Sequence, residues 1–287
     1  KVNAQVVRNE RLTWLNENTL TYQTNIKKKH FFNTLVGITF QNSDYEYYSF
    51  KTIHIPNESL GMAGMNEGQA STTNSYKTSW SMMSYIARFN YNYKSKYYAT
   101  ASFRADGSSK FSKKNRYGYF PSGSLAWNFM EEEFMKHQDV VSTLSLRATY
   151  GLTATMGPAD NALAVFRNST TYRGDDGYKE SQIYIESLQN KDLTWEKQYE
   201  FNFGFDFGVL RNRISLSTDI YSRRGFDLIG LIRTSGMGGQ KWKYANYADM
   251  KSWGVEFTLN TKNIQRKDFS WTSNLTFAYN HNEITNL

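Results

Sequence analysis

The sequence has no cysteine, only three prolines and no long apolar run among its 287 residues. Without cysteine the chain can form neither a disulfide framework nor a thiolate metal site, and this absence suits a protein exported through an oxidising periplasm. No stretch approaches the roughly 18 apolar residues that a membrane-spanning helix requires. A helical membrane protein is therefore excluded, and the mean hydropathy of −0.66 describes a polar chain.

Aromatic residues are unexpectedly frequent in this polar composition. The chain contains 21 tyrosines, 19 phenylalanines and 7 tryptophans, together 16% of the residues. Disordered chains are poor in aromatic side chains, so the composition predicts a folded protein. The net charge of +8 allows nucleic acid or anionic lipid as a partner, and the placement of the charges must decide between them.

Strict alternation of side-chain character is the main signal in the sequence. From Tyr199 to Phe207 every odd position is aromatic and every even position is polar or glycine. This period of two predicts a β-strand with unlike faces, because a helix cannot place alternate residues on one side. The alternation resumes at Ile214 after a short segment, which predicts a hairpin.

Similar units along the chain predict about ten strands in five hairpins. Their expected length, roughly nine to thirteen residues, exceeds that of soluble sheets and suits a tilted strand that crosses a bilayer. Short predicted turns alternate with long polar loops at about residues 43–79, 154–198 and 223–251, as in outer-membrane barrels with short periplasmic turns. The strands are predicted around residues 20–22, 32–40, 85–93, 97–103, 125–129, 144–152, 199–207, 214–220, 253–259 and 269–279.

A bilayer explains why a chain so rich in rings is polar on average. In lipid, strands can span only as a closed barrel, with one face toward lipid and the other toward a polar lumen. Rings also collect at the two membrane interfaces. The fold class predicted is therefore all-β, a transmembrane antiparallel β-barrel. A large soluble β-sandwich or barrel also alternates, but its core face would be aliphatic.

The direction of the strands adds an expectation about completeness. If the short turns face the periplasm, both outermost strands have their free ends outside, whereas single-chain barrels usually keep both ends in the periplasm. We therefore expect residues 1–287 to be part of a single larger β-barrel domain, with further strands missing at both ends. Pairing of the first strand with the tenth in a closed ring would contradict this expectation.

Several blocks of the sequence are distinctive, and in the first of them Asp106-Gly107 is a turn signal. The blocks are residues 104–111 and 115–122 (R-x-D-G-S-S-x-F and N-R-x-G-x-F-P-S), 190–196 (N-x-D-L-x-W-E), 210–216 (L-x-N-R-I-S-L) and 253–257 (similar to K-G-V-E-L). They resemble, in the same order, the signatures of the SusC/RagA-type TonB-dependent transporters, and the resemblance extends from about residue 12 to the end of the chain.

The resemblance implies an outer-membrane barrel of 22 strands that is filled by an N-terminal plug and energised through the TonB complex. It also implies a SusD-like surface lipoprotein as partner and the active import of a nutrient, either a glycan or an oligopeptide. The plug, a TonB-contacting segment, a signal sequence and the final strands of such a transporter have no counterpart in this sequence.

Strand parity predicts which side chains face the lumen, where a substrate could contact them. Aromatic residues in the predicted extracellular loops are a second group, since rings can stack on sugars. The lumen candidates are Arg88, Asn90, Asn92, Arg104, Arg147, Asn202, Asp206, Asp219, Glu256 and Asn260. The loop candidates are Tyr172, Tyr178, Trp242 and Tyr244.

Basic clusters lie mainly at predicted strand ends, for example at Lys27 to Lys29, and there they can meet phosphates of lipid or lipopolysaccharide. Nucleic-acid binding would need the cations on one face beside exposed rings, and their spread around the turns argues against it. No cofactor, metal or catalytic motif is predicted. The alternatives left open are an outer-membrane enzyme, such as an omptin-like protease, and a passive porin.

Overall fold

Twelve β-strands and three 3₁₀ helices make up the described part of the chain. The computed structural model describes residues 2–157, 165–173, 178–187, 190–236 and 242–287, with the backbone alone for 165–173 and 178–187. The 3₁₀ helices span Glu58–Glu67, Phe129–Glu131 and Glu133–Met135, and no helix in these residues is long and apolar enough to cross a membrane. The strands are β1 (Val2–Ile26), β2 (His30–Ile55), β3 (Gln69–Tyr93), β4 (Tyr97–Ser108), β5 (Tyr117–Asn128), β6 (Val141–Thr155), β7 (Val165–Arg173), β8 (Tyr178–Ser187), β9 (Glu196–Val209), β10 (Ile214–Arg233), β11 (Trp242–Gln265) and β12 (Ser270–Asn286).

Ten of these strands form one antiparallel sheet, in the order β1-β2-β3-β4-β5-β6-β9-β10-β11-β12, and β7 and β8 form a separate hairpin. The ten predicted strands correspond to these ten, so that prediction is confirmed. Strands β1 and β12 are the two edges of the sheet, and the ten strands do not close into a ring. Two compact units are present, Lys1–Glu17 with Thr39–Met83 and Asn18–Ile38 with Ser84–Leu287. The contacts analysed below lie within the second unit.

Large apolar side chains remain exposed along one face of the sheet. Phe203 on β9 and Phe277 on β12 are 37% and 48% exposed. Rings pair across neighbouring strands on this face, as Phe257 and Phe277 do with centroids 5.3 Å apart. Contiguous apolar surface of this extent is rare on soluble monomers and is the expected outer surface of a barrel in hydrocarbon.

The predicted short turns are present, and two of them are as tight as a hairpin allows. Lys27 and Lys28 have φ of 53° and 52°, and Lys94 and Ser95 have φ of 50° and 56°. Hydrogen bonds of 3.1 Å from Lys29 N to Ile26 O and of 2.9 Å from Lys96 N to Tyr93 O close the two turns. Two consecutive residues with positive φ define the type I′ turn, whose twist matches that of paired strands.

Two of the three predicted long loops are much shorter in the structure than the sequence pattern suggested, whereas the loop predicted at 154–198 agrees with the connection between Thr155 of β6 and Glu196 of β9. Strand β2 continues to Ile55 and β3 begins at Gln69, so only residues 56–68 remain of the loop predicted at 43–79. Strand β10 likewise continues to Arg233, and β2 reaches 26 residues, twice the longest expected strand. Backbone pairing in these extensions continues without a regular alternation of apolar and polar residues, and for that reason the sequence pattern did not predict them.

Asp106-Gly107 was predicted as a turn, and this prediction is wrong. Both residues lie in β4, and Gly107 faces Tyr117 of β5 in register. A Cβ at position 107 would lie 2.6 Å from Cε1 of the Tyr117 ring. Glycine at position 107 therefore makes room for the Tyr117 ring and does not serve to adopt a positive φ. The chain turns later, in residues 109–116.

Residues 190–195, which we call the crossing segment, form a small core with the connection between β4 and β5. Leu193 and Trp195 are 0% and 3% exposed, and Phe111 is 2% exposed. The ring centroids of Phe111 and Trp195 are 4.9 Å apart, and Phe120 meets Trp195 edge-on at 5.6 Å. Two of the motifs noted in the sequence, about 80 residues apart, thus build one core.

Side-chain amides fix the crossing segment on both sides. Asn115 Nδ2 donates hydrogen bonds of 3.0 and 3.3 Å to the carbonyl oxygens of Asp192 and Leu193. On the other side, Asn246 of β11 accepts from Thr194 N and donates to Thr194 O, each at 2.9 Å. The segment therefore links the β4–β5 connection to β11, although three strands of the sheet, β6, β9 and β10, lie between β5 and β11.

Glu132 organises the connection between β5 and β6. Its carboxylate accepts hydrogen bonds from Tyr97 Oη at 2.6 Å, Lys96 Nζ at 3.0 Å and Trp127 Nε1 at 3.2 Å. The hydrogen bond from Tyr97, followed by that from Lys96, lowers the pKa of Glu132 below its ordinary value of 4.5. The ionised carboxylate thus ties this connection to β4.

Replacement of Phe111 by alanine tests the small core. We expect Phe111→Ala to lower the free energy of unfolding by about 3–5 kcal/mol, because it leaves a cavity beside Trp195. The measurement is urea-induced unfolding of the full-length protein in detergent, followed by tryptophan fluorescence. Lys113→Ala, an exposed position in the same connection, is the control, and equal stability of the two variants would contradict the packing described.

Glu132→Gln tests the pH dependence of the β5–β6 connection. Because the folded-state pKa is lowered, the ionised carboxylate stabilises the fold above its unfolded pKa, and this contribution disappears as the pH falls through the folded pKa. We expect the variant to unfold at a lower temperature than wild type at neutral pH. The difference should shrink as the pH falls below the ordinary glutamate pKa of 4.5 and vanish below the lowered pKa of the folded state. The unfolding temperatures of the full-length proteins are measured by heat-dependent gel migration after incubation between pH 3 and 8, with Glu131→Gln as control. A difference that persists in acid would refute this origin.

Candidate functional site

The polar face of the sheet carries the predicted lumen residues. On β9, the exposed rings of Phe201 and Phe203 alternate with Asn202 and Gly204, so the polar positions lie on the opposite face. The register of β6, β9, β10 and β11 then places polar residues in rows across the strands. These rows define the candidate site.

Arg147 of β6 lies at the centre of an ion-pair network in these rows. Its guanidinium pairs with the Asp206 carboxylate of β9, and its Nη2 lies 3.4 Å from Oδ1 of Asp219 on β10. Ser145 Oγ and Ser217 Oγ donate hydrogen bonds of 2.9 and 2.7 Å to the same Asp206 carboxylate. The structure therefore brings three of the predicted lumen residues together in one ion-pair network.

Gly204 allows this network to cross a strand. Arg147 faces Gly204 in register, and Gly204 faces Asp219 on its other side. A Cβ at position 204 would lie 2.6 Å from Nη2 of Arg147 and 2.9 Å from Oδ1 of Asp219. Because glycine has no side chain, the guanidinium lies across β9 and connects β6 with β10.

Carboxylates outnumber cations in this part of the polar face. Glu256 of β11 lies directly opposite Asp219 in register, and like charges in that position repel. Arg147 offsets the charge of Asp219 from the other side but does not reach the next strand. With one arginine for Asp206, Asp219 and Glu256, the patch has a formal charge of −2, which favours cationic or hydrogen-bond-donating groups in the space it faces.

A second charged layer lies next to this network, and the candidates from the sequence did not include it. Arg223 of β10 faces Glu200 of β9, with Nε 3.2 Å from Oε2. The guanidinium carbon lies 4.3 Å from the centroid of the Tyr221 ring, and that ring packs where Gly254 has no side chain. Strand parity is sufficient to predict that Glu200 and Arg223 face the lumen, since they share a face with Asn202 and Asp219.

The other lumen candidates make mainly local contacts with neighbouring strands and turns. Arg104 Nε donates to Asp106 at 2.7 Å, and its Nη2 donates to Ser84 Oγ at 3.2 Å.

The asparagine candidates accept hydrogen bonds from nearby residues. Asn90 accepts from Thr100 at 3.0 Å, Asn92 accepts from the Ser95 backbone at 2.8 Å, and Asn260 accepts from Asn274 at 2.6 Å. Asn202 faces Thr149 and Tyr221 in register, and Arg88 is exposed. Substrate contact by any of these residues stays a prediction.

The predicted loop aromatics do not form one group among the described side chains. Trp242 is 45% exposed, and the Arg233 guanidinium lies 5.2 Å from its ring. The backbone oxygen of Tyr244 accepts a hydrogen bond of 2.7 Å from Asn190 of the crossing segment. The side chains of Tyr172 and Tyr178 lie outside the described residues.

A sheet with one aromatic, apolar face and one face of paired charges and hydroxyls defines the wall of a transmembrane β-barrel. The model of the family described as TonB dependent receptor-like, beta-barrel matches residues 3–286. TonB-dependent receptor P39 of Formosa agariphila is 32% identical over the whole chain, which covers 27% of that relative. TonB-dependent receptor SusC of Bacteroides thetaiotaomicron is 37% identical over 74% of the chain and 22% of the relative. The chain therefore belongs to the TonB-dependent receptor β-barrel family and resembles its SusC/RagA type.

Solved structures agree with this assignment. The RagAB peptide transporter matches 99% of this chain and 31% of its own, with 26% identity and a TM-score of 0.86. The outer membrane transporter YddB of Escherichia coli shares the fold, with a TM-score of 0.64 at 12% identity. The chain thus spans between a quarter and a third of the length of TonB-dependent receptor P39 and of the RagAB chain.

Gly204→Ala tests whether the ion-pair network depends on the missing side chain. We expect the methyl group to displace the Arg147 guanidinium and to cost about 1–3 kcal/mol, as overpacking does elsewhere. Gly123→Ala is the matched control, because the nearest atom to a Cβ there is Thr100 O at 3.6 Å. Urea unfolding of the two full-length variants in detergent gives the comparison, and equal midpoints would show that the guanidinium moves without cost.

Proposed function

We propose that this chain is part of the barrel of a SusC-type TonB-dependent transporter that actively imports a nutrient across the bacterial outer membrane. The observation that carries the proposal is the match of a two-faced ten-stranded sheet to the RagAB transporter over 99% of the chain. The paired charges on the polar face suit the wall of a water-filled or plugged lumen, and the apolar face suits lipid.

The unpaired edges of the sheet are an argument for a barrel with more than ten strands. Strands β1 and β12 each pair on one side only, which leaves a row of backbone groups without partners in the sheet. Unpaired backbone groups cost several kcal/mol each in hydrocarbon. We propose that residues 1–287 belong to one barrel domain of 22 strands, completed by further strands and an N-terminal plug.

Two states of a related importer match the chain almost equally well. The RagAB peptide importer in its 'closed-closed' and 'open-open' states matches 99% of the chain with TM-scores of 0.85 and 0.84. Both matches support the proposed barrel fold.

The partners proposed are a SusD-like surface lipoprotein, the TonB complex through the N-terminal part of a full transporter, and the lipid or lipopolysaccharide of the outer membrane. The substrate proposed is a glycan or an oligopeptide; the relatives comprise both a SusC receptor and a RagAB peptide importer. The names of these relatives are those of receptors and transporters, which supports a protein without enzymatic activity.

Uptake in the presence of a protonophore tests active import. Cells that express the full-length transporter are offered fluorescent maltoheptaose and a fluorescent decapeptide, and surface-bound and internal label are measured separately. We expect one probe to accumulate inside, the protonophore to abolish accumulation, and surface binding to persist. Accumulation that survives the protonophore would indicate a passive porin, and cleavage of a probe by the purified protein would indicate an enzyme.

A further inference from the structure

Two neighbouring turns at one end of the sheet carry five lysines, Lys27, Lys28, Lys29, Lys94 and Lys96, which we call the lysine rim. A hydrogen bond of 2.8 Å from Lys94 N to Lys29 O holds the two turns side by side. The tight type I′ geometry keeps both backbones short, so the lysine side chains start within a few residues of the strand ends. All of them except Lys96 are exposed.

The charge of the lysine rim is largely uncompensated. Lys96 pairs with Glu132 at 3.0 Å. Among the described residues, the other four make no ion pair with a carboxylate, and Lys94 lies 5.4 Å from the centroid of the Tyr93 ring. The next connection along the rim is acidic, with Glu131 and Glu133 exposed. This acidic connection separates the lysine rim from the basic turns further along the sheet, at Arg211 with Arg213 and at Arg266 with Lys267.

Aromatic rings lie directly beside these lysines at the strand ends. The His30 ring centroid is 4.9 Å from that of Tyr93, which stacks on Tyr97 at 6.4 Å, and Tyr97 lies 5.9 Å from Trp127. The His30 Nδ1 also lies 2.8 Å from Tyr91 Oη in a hydrogen bond. Amphipathic rings of this kind mark the depth of lipid headgroups. The lysines, one turn beyond the rings, therefore lie at the level of headgroup phosphates.

We propose that the lysine rim binds the phosphate of an anionic phospholipid headgroup in the periplasm-facing leaflet. The proposal rests on the proposed function, since it requires a barrel in the outer membrane. The short turns of such barrels face the periplasm, which favours a phospholipid over lipopolysaccharide. The tight turns hold the lysines of both hairpins near one point, so a single headgroup can meet ammonium groups from each turn.

The test compares lipid retention by two double variants of the full-length transporter. Lys28→Gln with Lys94→Gln removes one charge from each turn of the lysine rim. Lys113→Gln with Lys114→Gln removes two exposed charges from the connection at the opposite end of β4 and β5. Each protein is purified in detergent, incubated with equal amounts of phosphatidylglycerol and phosphatidylcholine, and analysed by native mass spectrometry. Heat-dependent gel migration confirms that each variant is folded.

We expect wild type and the Lys113/Lys114 variant to retain phosphatidylglycerol preferentially. The Lys28/Lys94 variant should lose at least about tenfold in that preference, since each lysine near an anionic surface contributes about fivefold. Equal retention of phosphatidylglycerol by the two double variants would overturn the lipid site. Displacement of phosphatidylglycerol from wild type by an equal amount of inorganic phosphate or of lipopolysaccharide would overturn it as well. Unchanged retention in a variant that still imports substrate would overturn the lipid site alone. A full-length protein that stays soluble without detergent would overturn the proposed function with it.

Discussion

Every backbone N–H and C=O group that enters hydrocarbon must find its partner within the protein, and the rest of this structure depends on that requirement. Strand pairing satisfies it, and pairing in turn places alternate side chains on opposite faces. The run from Tyr199 to Phe207 shows the result, with rings toward lipid and polar groups on the other face. The same requirement fixes the register, and a fixed register explains why Lys27 and Lys28 accept a left-handed conformation that glycine or asparagine would adopt more easily.

On the polar face the same pairing brings charges together that the strands cannot separate. Asp219 and Glu256 face each other because the register places them there. The arrangement is tolerable because Arg147 reaches Asp219 across Gly204, and because Asp206 accepts two hydroxyl hydrogen bonds besides its ion pair. These side chains are partly exposed, so water also screens the charges, and the contribution of each pair to stability is modest. A glycine in the middle of a strand, usually a weakness, here lets one guanidinium join three strands.

The sequence was sufficient to predict the ten strands, their turns and the faces of residues such as Asn202 and Asp206, because alternation is a local property. It was insufficient wherever contacts join distant segments. Gly204 carries no sign of the arginine that crosses it, and Asp106-Gly107 matches a turn although Tyr117 is the reason for the glycine. The core of Phe111 and Trp195 was not predicted either, although both residues belong to motifs noted in the sequence. Strand extensions such as residues 44–55 were missed because their apolar and polar residues do not alternate regularly.

The two ends of the sheet are stabilised in different ways. At the end with short turns, backbone groups pair almost up to the last residue, and Glu132 gathers three donors from neighbouring residues. At the other end the crossing segment is irregular, and the amides of Asn115 and Asn246 replace the missing ladder partners of its carbonyl groups. Irregular backbone is possible only where water or side chains can satisfy it. The crossing segment can therefore be irregular without disturbing the pairing of the strands in the sheet.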